Sequence, residues 1–126
     1  MHKVALALAF IGLTAMPALA DDRSCLAEAM YYEARDQGWV GMLAVGVVIQ
    51  NRVRSTRYPD DVCSVVRQGR YWEGHPVRNK CQFSYYCDGK TERPSEPTSW
   101  NRAMKIADLL LFARVDVAGL EGATHY

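Results

Sequence analysis

The chain has 126 residues, 49% of them hydrophobic and 23% charged, with a formal net charge of +1. That length suits one small domain and is too short for two of ordinary size. Fifteen basic against 14 acidic side chains leave no cationic excess for neutralising a phosphate backbone, so a nucleic-acid partner drops out of the expected classes.

The first segment, MHKVALALAFIGLTAMPALA, carries Lys3, an apolar run from Val4 to Ile11, and Ala18-Leu19-Ala20 at its end. These are the basic, hydrophobic and small-residue parts of a secretory leader. The apolar run falls short of the roughly 20 residues a bilayer needs, and Thr14 and Pro17 interrupt it. The expectation is a leader over 1–20, cleaved after Ala20, and an exported domain over 21–126, periplasmic or secreted. No later stretch is long and apolar enough to span a membrane, and the domain is expected to act as a monomer.

Chain order then gives the elements. A helix is predicted from about Ser24, read as its N-cap, to Arg35. On it Leu26, Met30 and Glu33 stand at i, i+4 and i+7, one face that is apolar except for Glu33. WVGMLAVGVVIQNRV (39–53) is apolar nearly all round until Gln50, and its length favours a buried helix over a strand. Asn51 and Arg52 are expected to tie that helix to the turn after it. RSTRYPDD is a turn in which Asp60 or Asp61 caps a short helix carrying Val62, Val65 and Val66.

A long Gly- and Arg-rich loop follows, with Trp72 as a local packing anchor. CQFSYYCDGK reads as a strand by its alternation: Cys81, Phe83, Tyr85 and Cys87 on one face, Gln82, Ser84 and Tyr86 on the other, Asp88-Gly89 as a turn. KTERPSEPTS is a polar loop. Thr98 or Ser99 then caps a helix whose stripe is Ala103, Ile106, Ala107, Leu110 and Leu111, and GLEGATHY closes the chain as an extended return strand. The result is an α+β domain, helix-rich with one small sheet region.

Cys25, Cys63, Cys81 and Cys87 are an even set in an exported small domain, which argues for two disulfides. Zinc, with His75 and His125 as further ligands, is the alternative, but no C-x-x-C or H-x-x-x-H spacing supports it, and no metal or other cofactor is expected. If CQFSYYC is one extended strand, Cys81 and Cys87 are about 20 Å apart. A disulfide tolerates Cα separations up to about 7 Å. Both are therefore expected to join the distant Cys25 and Cys63, in an order left open.

LAEAMYYEAR, GMLAVGVVIQNRV, YPDDVCSVV, CQFSYYCDG and GATHY, in this order, resemble the cell-wall hydrolase family that includes the spore cortex-lytic enzymes. The resemblance implies a small lysozyme-like or transglycosylase-like fold, helix-rich with a short antiparallel sheet. It also implies cleavage of peptidoglycan glycan strands between N-acetylmuramic acid and N-acetylglucosamine. The family's catalytic glutamate lies in its EAR motif, which corresponds to Glu33. Asp36-Gln37-Gly38 departs from the Gly-Glu common there.

The chemistry agrees with that position. A carboxyl group on a partly desolvated face is favoured in its protonated form, ready to donate to a leaving glycosidic oxygen. The bland reading makes Glu33 a helix-end carboxylate paired with Arg35. A conventional glycosidase needs a second carboxylate about 5–5.5 Å away when retaining and about 6.5–9.5 Å when inverting. Glu28 lies about 140° round the helix from Glu33. Asp60, Asp61 and Asp88 read as caps and turns, and Asp36 sits where the helix ends.

A single acid suits a lytic transglycosylase, in which the muramic acid 6-hydroxyl attacks its own anomeric carbon. The alternatives are a water-using muramidase of the same fold and an exported glycan-binding or inhibitory module without turnover. Gln82, Ser84, Tyr86, Tyr32, His125 and Tyr126 are the candidate substrate contacts, and stacking on a sugar ring is the alternative to the packing role of Trp72. Of Tyr31 and Tyr32, one is expected in the core and the other at substrate.

Overall fold

Helix-favouring residues continue upstream of Ser24, and the first helix uses them. In the computed structural model, which describes residues 17–90, 93–113 and 117–126, α1 spans Pro17–Ala34. Ser24 is therefore an interior helical residue rather than the N-cap. Most of the expected leader, residues 1–16, lies outside the described residues. The inward stripe of α1 is Leu26, Ala27, Ala29, Met30 and Tyr31, all fully buried.

A single 3₁₀ turn, Arg35–Gln37, reverses the chain into α2 (Gly38–Arg54). Gly38 makes the corner at φ +65°, a left-handed conformation that costs other residues strain. α2 buries Met42, Val45, Val47, Val48 and Ile49, as its nearly all-round apolar sequence predicts. At Gly46 the packing against the neighbouring helices is close: a Cβ there would sit 2.4 Å from Leu110 Cδ1 and 2.7 Å from Met30 Sδ. The missing side chain lets α2 approach both its neighbours.

Asp61 caps α3 (Val62–Val66) as expected, accepting from Ser64 N–H at 2.7 Å. α4 (Pro97–Phe112) buries Ala103, Ile106, Ala107 and Leu110. Its start differs from expectation. Glu96, not Thr98 or Ser99, is the N-cap and makes no side-chain cap bond, while Pro97 takes the first helical position. Proline lacks the N–H that would be unsatisfied there. The N–H groups of Ser95 and Glu96 both donate to the buried Tyr31 hydroxyl at 3.1 Å, so a core tyrosine does the work expected of a helix cap.

α1, α2 and α4 pack mutually, with α3 against the first two. Arg23 is ion-paired with Asp108 (Nη2 to Oδ2, 3.0 Å), while Tyr31 meets Trp100 ring to ring at 6.0 Å. α1 and α4 therefore run in opposite directions.

The sheet is a hairpin of β1 (Gly69–Trp72) and β2 (His75–Cys81), antiparallel with Trp72 opposite His75. It falls in the segment read as a loop. Glu73 and Gly74 form the two-residue turn, at φ +48° and +80°, which is the primed geometry that suits hairpin twist. The strand expected over CQFSYYCDGK is corrected. After Cys81 the chain leaves the sheet and forms a 3₁₀ turn, Ser84–Cys87. Burial still alternates, with Phe83, Tyr85 and Cys87 inside, although the backbone is not extended.

That turn overturns the expected pairing too. Cys81 is bonded to Cys87, with Cα atoms 6.1 Å apart, and Cys25 to Cys63, at 5.3 Å. The 20 Å estimate assumed an extended chain. No described cysteine is free, so none offers a thiolate to zinc. Among the described residues GLEGATHY is not a strand either. The chain makes two tight turns, Val117–Leu120 leading into the segment and Leu120–Ala123 within it, and then runs irregularly to Tyr126. No described helix is long and apolar enough to cross a membrane.

Candidate active site

The C-terminal segment is bound by side chains from the end of α2. Asn51 Nδ2 donates to the carbonyls of Leu120 and Ala123, both at 2.9 Å, and Arg52 Nε donates to that of Thr124 at 2.7 Å. The sequence reading tied these two residues to the turn after the helix, which is one of Arg52's contacts. Its guanidinium lies 5.1 Å from the Tyr58 ring and 5.5 Å from that of Phe83. Arg52 is only 6% exposed, so the two rings and the Thr124 carbonyl provide its compensation for burial.

This clamp brings the last residue to the end of α1. The Tyr126 hydroxyl donates to Glu33 Oε2 at 3.0 Å. Although Tyr126 as a whole is 63% exposed, desolvation at its hydroxyl and the adjacent Glu33 carboxylate raise the phenol above the usual tyrosine range, so it remains a proton donor in the bond. Residues 93 positions apart thus meet, and Glu33 is positioned by a partner from the opposite end of the chain.

Glu33 opens onto a cleft of about 310 Å³ lined by Tyr32, Glu33, Arg35, Ser84, Tyr85, Asp88 and Lys90. One wall is the end of α1. The other is the disulfide-closed turn and the residues just after it. Tyr32 stacks on Tyr85, with ring centroids 4.9 Å apart, and joins the two walls. Tyr31, by contrast, is fully buried in the core.

Arg35 is engaged away from Glu33. Its guanidinium lies 3.8 Å from Glu96 Oε1 and 5.5 Å from the Tyr31 ring. Contact with the Tyr31 hydroxyl, then with Glu96, raises its already high pKa. The alternative that paired Glu33 with Arg35 has no ion pair behind it among the described residues.

Of the sequence-derived candidates, Glu33, Tyr32 and Ser84 line the cleft, and Tyr126 touches Glu33. Gln82 is exposed and outside the lining, its N–H bonded to the Gln68 carbonyl. Tyr86 lies under the Arg67 guanidinium, 5.9 Å from its ring, on the hairpin side. His125 is exposed and contacts Thr124 Oγ1 through Nδ1 at 3.1 Å. Trp72 is 73% exposed at the hairpin tip and packs little.

Sequence reasoning missed Asp88 and Lys90. Asp88 does make the expected turn, accepting from Lys90 N–H at 2.8 Å, and it also lines the cleft opposite Glu33. Proximity to Cys87 was the available signal, but an extended reading of that segment pointed it elsewhere. Asp36 is exposed, 4.0 Å from Arg35 Nε, and outside the lining. Among the described residues no group of three His, Cys, Asp or Glu is arranged to hold a metal ion.

The profile of the Cell Wall Hydrolase family matches residues 36–126. Glu33 lies just before the matched range. The spore cortex-lytic enzyme of Halalkalibacterium halodurans is 44% identical over 46 residues, a stretch that covers 36% of this chain and 14% of that relative. The match therefore spans only a small part of that protein's length. No solved structure matches.

Proposed function

The chain belongs to the cell wall hydrolase family, and from that premise we propose that it cleaves peptidoglycan glycan strands between N-acetylmuramic acid and N-acetylglucosamine, with Glu33 as the acid. The observation that carries the reading is the placement of Glu33: a helix-end carboxyl group open to a cleft and held by the Tyr126 hydroxyl. A binding module needs no acid there. Tyr126 engages one carboxyl oxygen, which leaves the other to meet the substrate.

In the proposed reaction Glu33 protonates the glycosidic oxygen as the bond from the muramic acid C1 breaks. The 6-hydroxyl of the same sugar then bonds to C1 and gives its proton to the Glu33 carboxylate. The acid is regenerated and the product is a 1,6-anhydro end. Tyr32 and Ser84 line the path of the sugar. Export fits a substrate outside the membrane and two disulfides. Cleavage of a leader after Ala20 would leave Asp21 and Asp22 in the first turn of α1, where carboxylates suit the helix dipole.

A second reading has its own support. Asp88 lines the same cleft and is the candidate for the second carboxylate of a water-using muramidase. Mass spectrometry of muropeptides released from purified peptidoglycan separates the two. Anhydro products, lighter by one water and inert to borohydride, are expected. Reducing ends would move the assignment to hydrolysis with Asp88 as base, and then Asp88→Asn should abolish turnover. Release of neither product would end the glycan-cleaving reading.

A further inference from the structure

The charges around the cleft are unevenly committed. Asp88 and Lys90 line one edge of it, and Gly89 between them takes φ +80°. A Cβ at Gly89 would lie 2.8 Å from Arg78 Nε and 2.9 Å from both Cζ and Nη2. The Arg78 guanidinium therefore rests on the bare backbone between two cleft-lining residues, and β2 delivers a cation to the rim. Arg78 and Lys90 are both exposed, and neither is ion-paired among the described residues. Arg35, the third cation at the cleft, is already occupied by Glu96.

The wider segment has the same sign. Residues 67–90 hold five basic side chains (Arg67, Arg70, Arg78, Lys80, Lys90) against Glu73 and Asp88, a net of +3 in a chain whose total is +1. Lys90 in the cleft with the proposed acid and Arg78 against Gly89, neither ion-paired among the described residues, make a surface that favours an anionic ligand. An arginine laid flat presents parallel N–H groups suited to a carboxylate, whereas a lysine offers a point charge.

We propose that Arg78 and Lys90 form a carboxylate-binding rim that selects peptidoglycan strands bearing their peptide side chains with free carboxylates. This rests on the glycan-cleaving reading and names the substrate form that reading leaves open. The sugar backbone enters the cleft at Glu33. The peptide hanging from the muramic acid lies across the Asp88–Lys90 rim, with a carboxylate on Arg78 and Lys90.

The test compares cleavage of intact peptide-bearing strands with that of the same strands after conversion of their carboxylates to primary amides. The unmutated enzyme should favour the free-carboxylate strands by about 10-fold or more in kcat/KM, as expected for a charge-assisted contact. The preference should shrink as salt rises, because the rim is exposed. In the double variant Arg78→Gln, Lys90→Gln the ratio should fall close to one, with circular dichroism unchanged. Equal cleavage of both substrates by the unmutated enzyme overturns the rim while leaving the glycan-cleaving reading in place. A preference that survives in the double variant overturns the assignment to these residues. Failure to cleave either strand is a failure of the underlying reading.

Discussion

The helical layer and the segment from Arg67 to Lys90 are held together by different physics. In the first, α1, α2 and α4 bury their apolar stripes almost completely: Leu26, Met30, Met42, Val48, Ile49 and Ile106 are inaccessible. In the second, every residue of the hairpin from Gly69 to Cys81 is exposed or only partly covered. Its inward anchors are Phe83, Tyr85 and Cys87, and a short disulfide takes over what burial does not supply. The cleft lies along the seam. The proposed acid stands on the part stabilised by packing, and the rim stands on the part stabilised by a covalent loop. A domain of this size thereby fixes one wall of its site with its core and leaves the other to local chemistry.

Glu33→Gln separates the two regions most sharply. Glycan cleavage should fall by about 10²–10⁴-fold, the usual worth of a general acid, while unfolding free energy changes by less than about 1 kcal/mol at this partly exposed helix end. Retention of most activity would remove Glu33 from the mechanism.

The two disulfides should differ next. By chain entropy alone, a cross-link across 38 residues stabilises by about 4 kcal/mol and one across six by about 2. Urea unfolding of Cys25→Ser, Cys63→Ser should therefore show the larger loss of stability. Cys81→Ser, Cys87→Ser should show the larger loss of activity for each increment of stability lost, because its loop carries Ser84 and Tyr85. The opposite order would mean that the cleft wall is held by something other than its disulfide. Before mutation, denatured and unreduced protein should yield no alkylatable thiol, and two or more would contradict both bridges.

Gly46→Ala probes the helical side alone. Ala gains up to about 1 kcal/mol of helix propensity, but the new methyl meets Leu110 and the fully buried Met30, and overpacking costs about 1–3 kcal/mol. A net loss of about 1 kcal/mol with unaltered KM is expected, and a stabilised protein would show that the α2 contact is looser than described.

The smallest effect belongs to Asp61. The Ser64 hydroxyl and N–H, each at 2.7 Å, hold its carboxyl below the usual value of 3.8. A lowered folded-state value means the contribution is complete above 3.8 and lost as pH falls through that lower value. Asp61→Ala should cost about 1 kcal/mol at neutral pH. The gap to the unmutated protein should close in acid, and a gap independent of pH would exclude the charge as its source.

The helices were legible because their signals are repetitive. The stripe of α4 and the all-round apolarity of α2 recur over many residues, so no single misreading could displace them, and Asp61 announced its own cap. Ser24 and Thr98 were misleading because a capping residue type marks a helix start only where neighbouring residues decline to continue the helix. Leu19 and Ala20 did continue it, and Tyr31 had already satisfied the N–H groups before Pro97. The hairpin was missed because Glu73-Gly74 is a weaker turn signal than Asn-Gly or Asp-Gly. The alternation in CQFSYYC described burial correctly and backbone wrongly, since a 3₁₀ turn closed by a disulfide can also bury every second residue.

Sequence alone determined the class of fold, the stripe on which Glu33 stands and the presence of paired cysteines, because each rests on residues near one another in the chain. Tertiary structure alone decided which cysteines pair, which tyrosine meets Glu33 and which acids and cations share its cleft. Tyr126 reaches Glu33 across 93 positions only through the grip of Asn51 and Arg52 on the last turns. Arg78 reaches the rim only because Gly89 has no side chain. Contacts of that kind depend on how separate elements close on one another, and no local pattern encodes the closure.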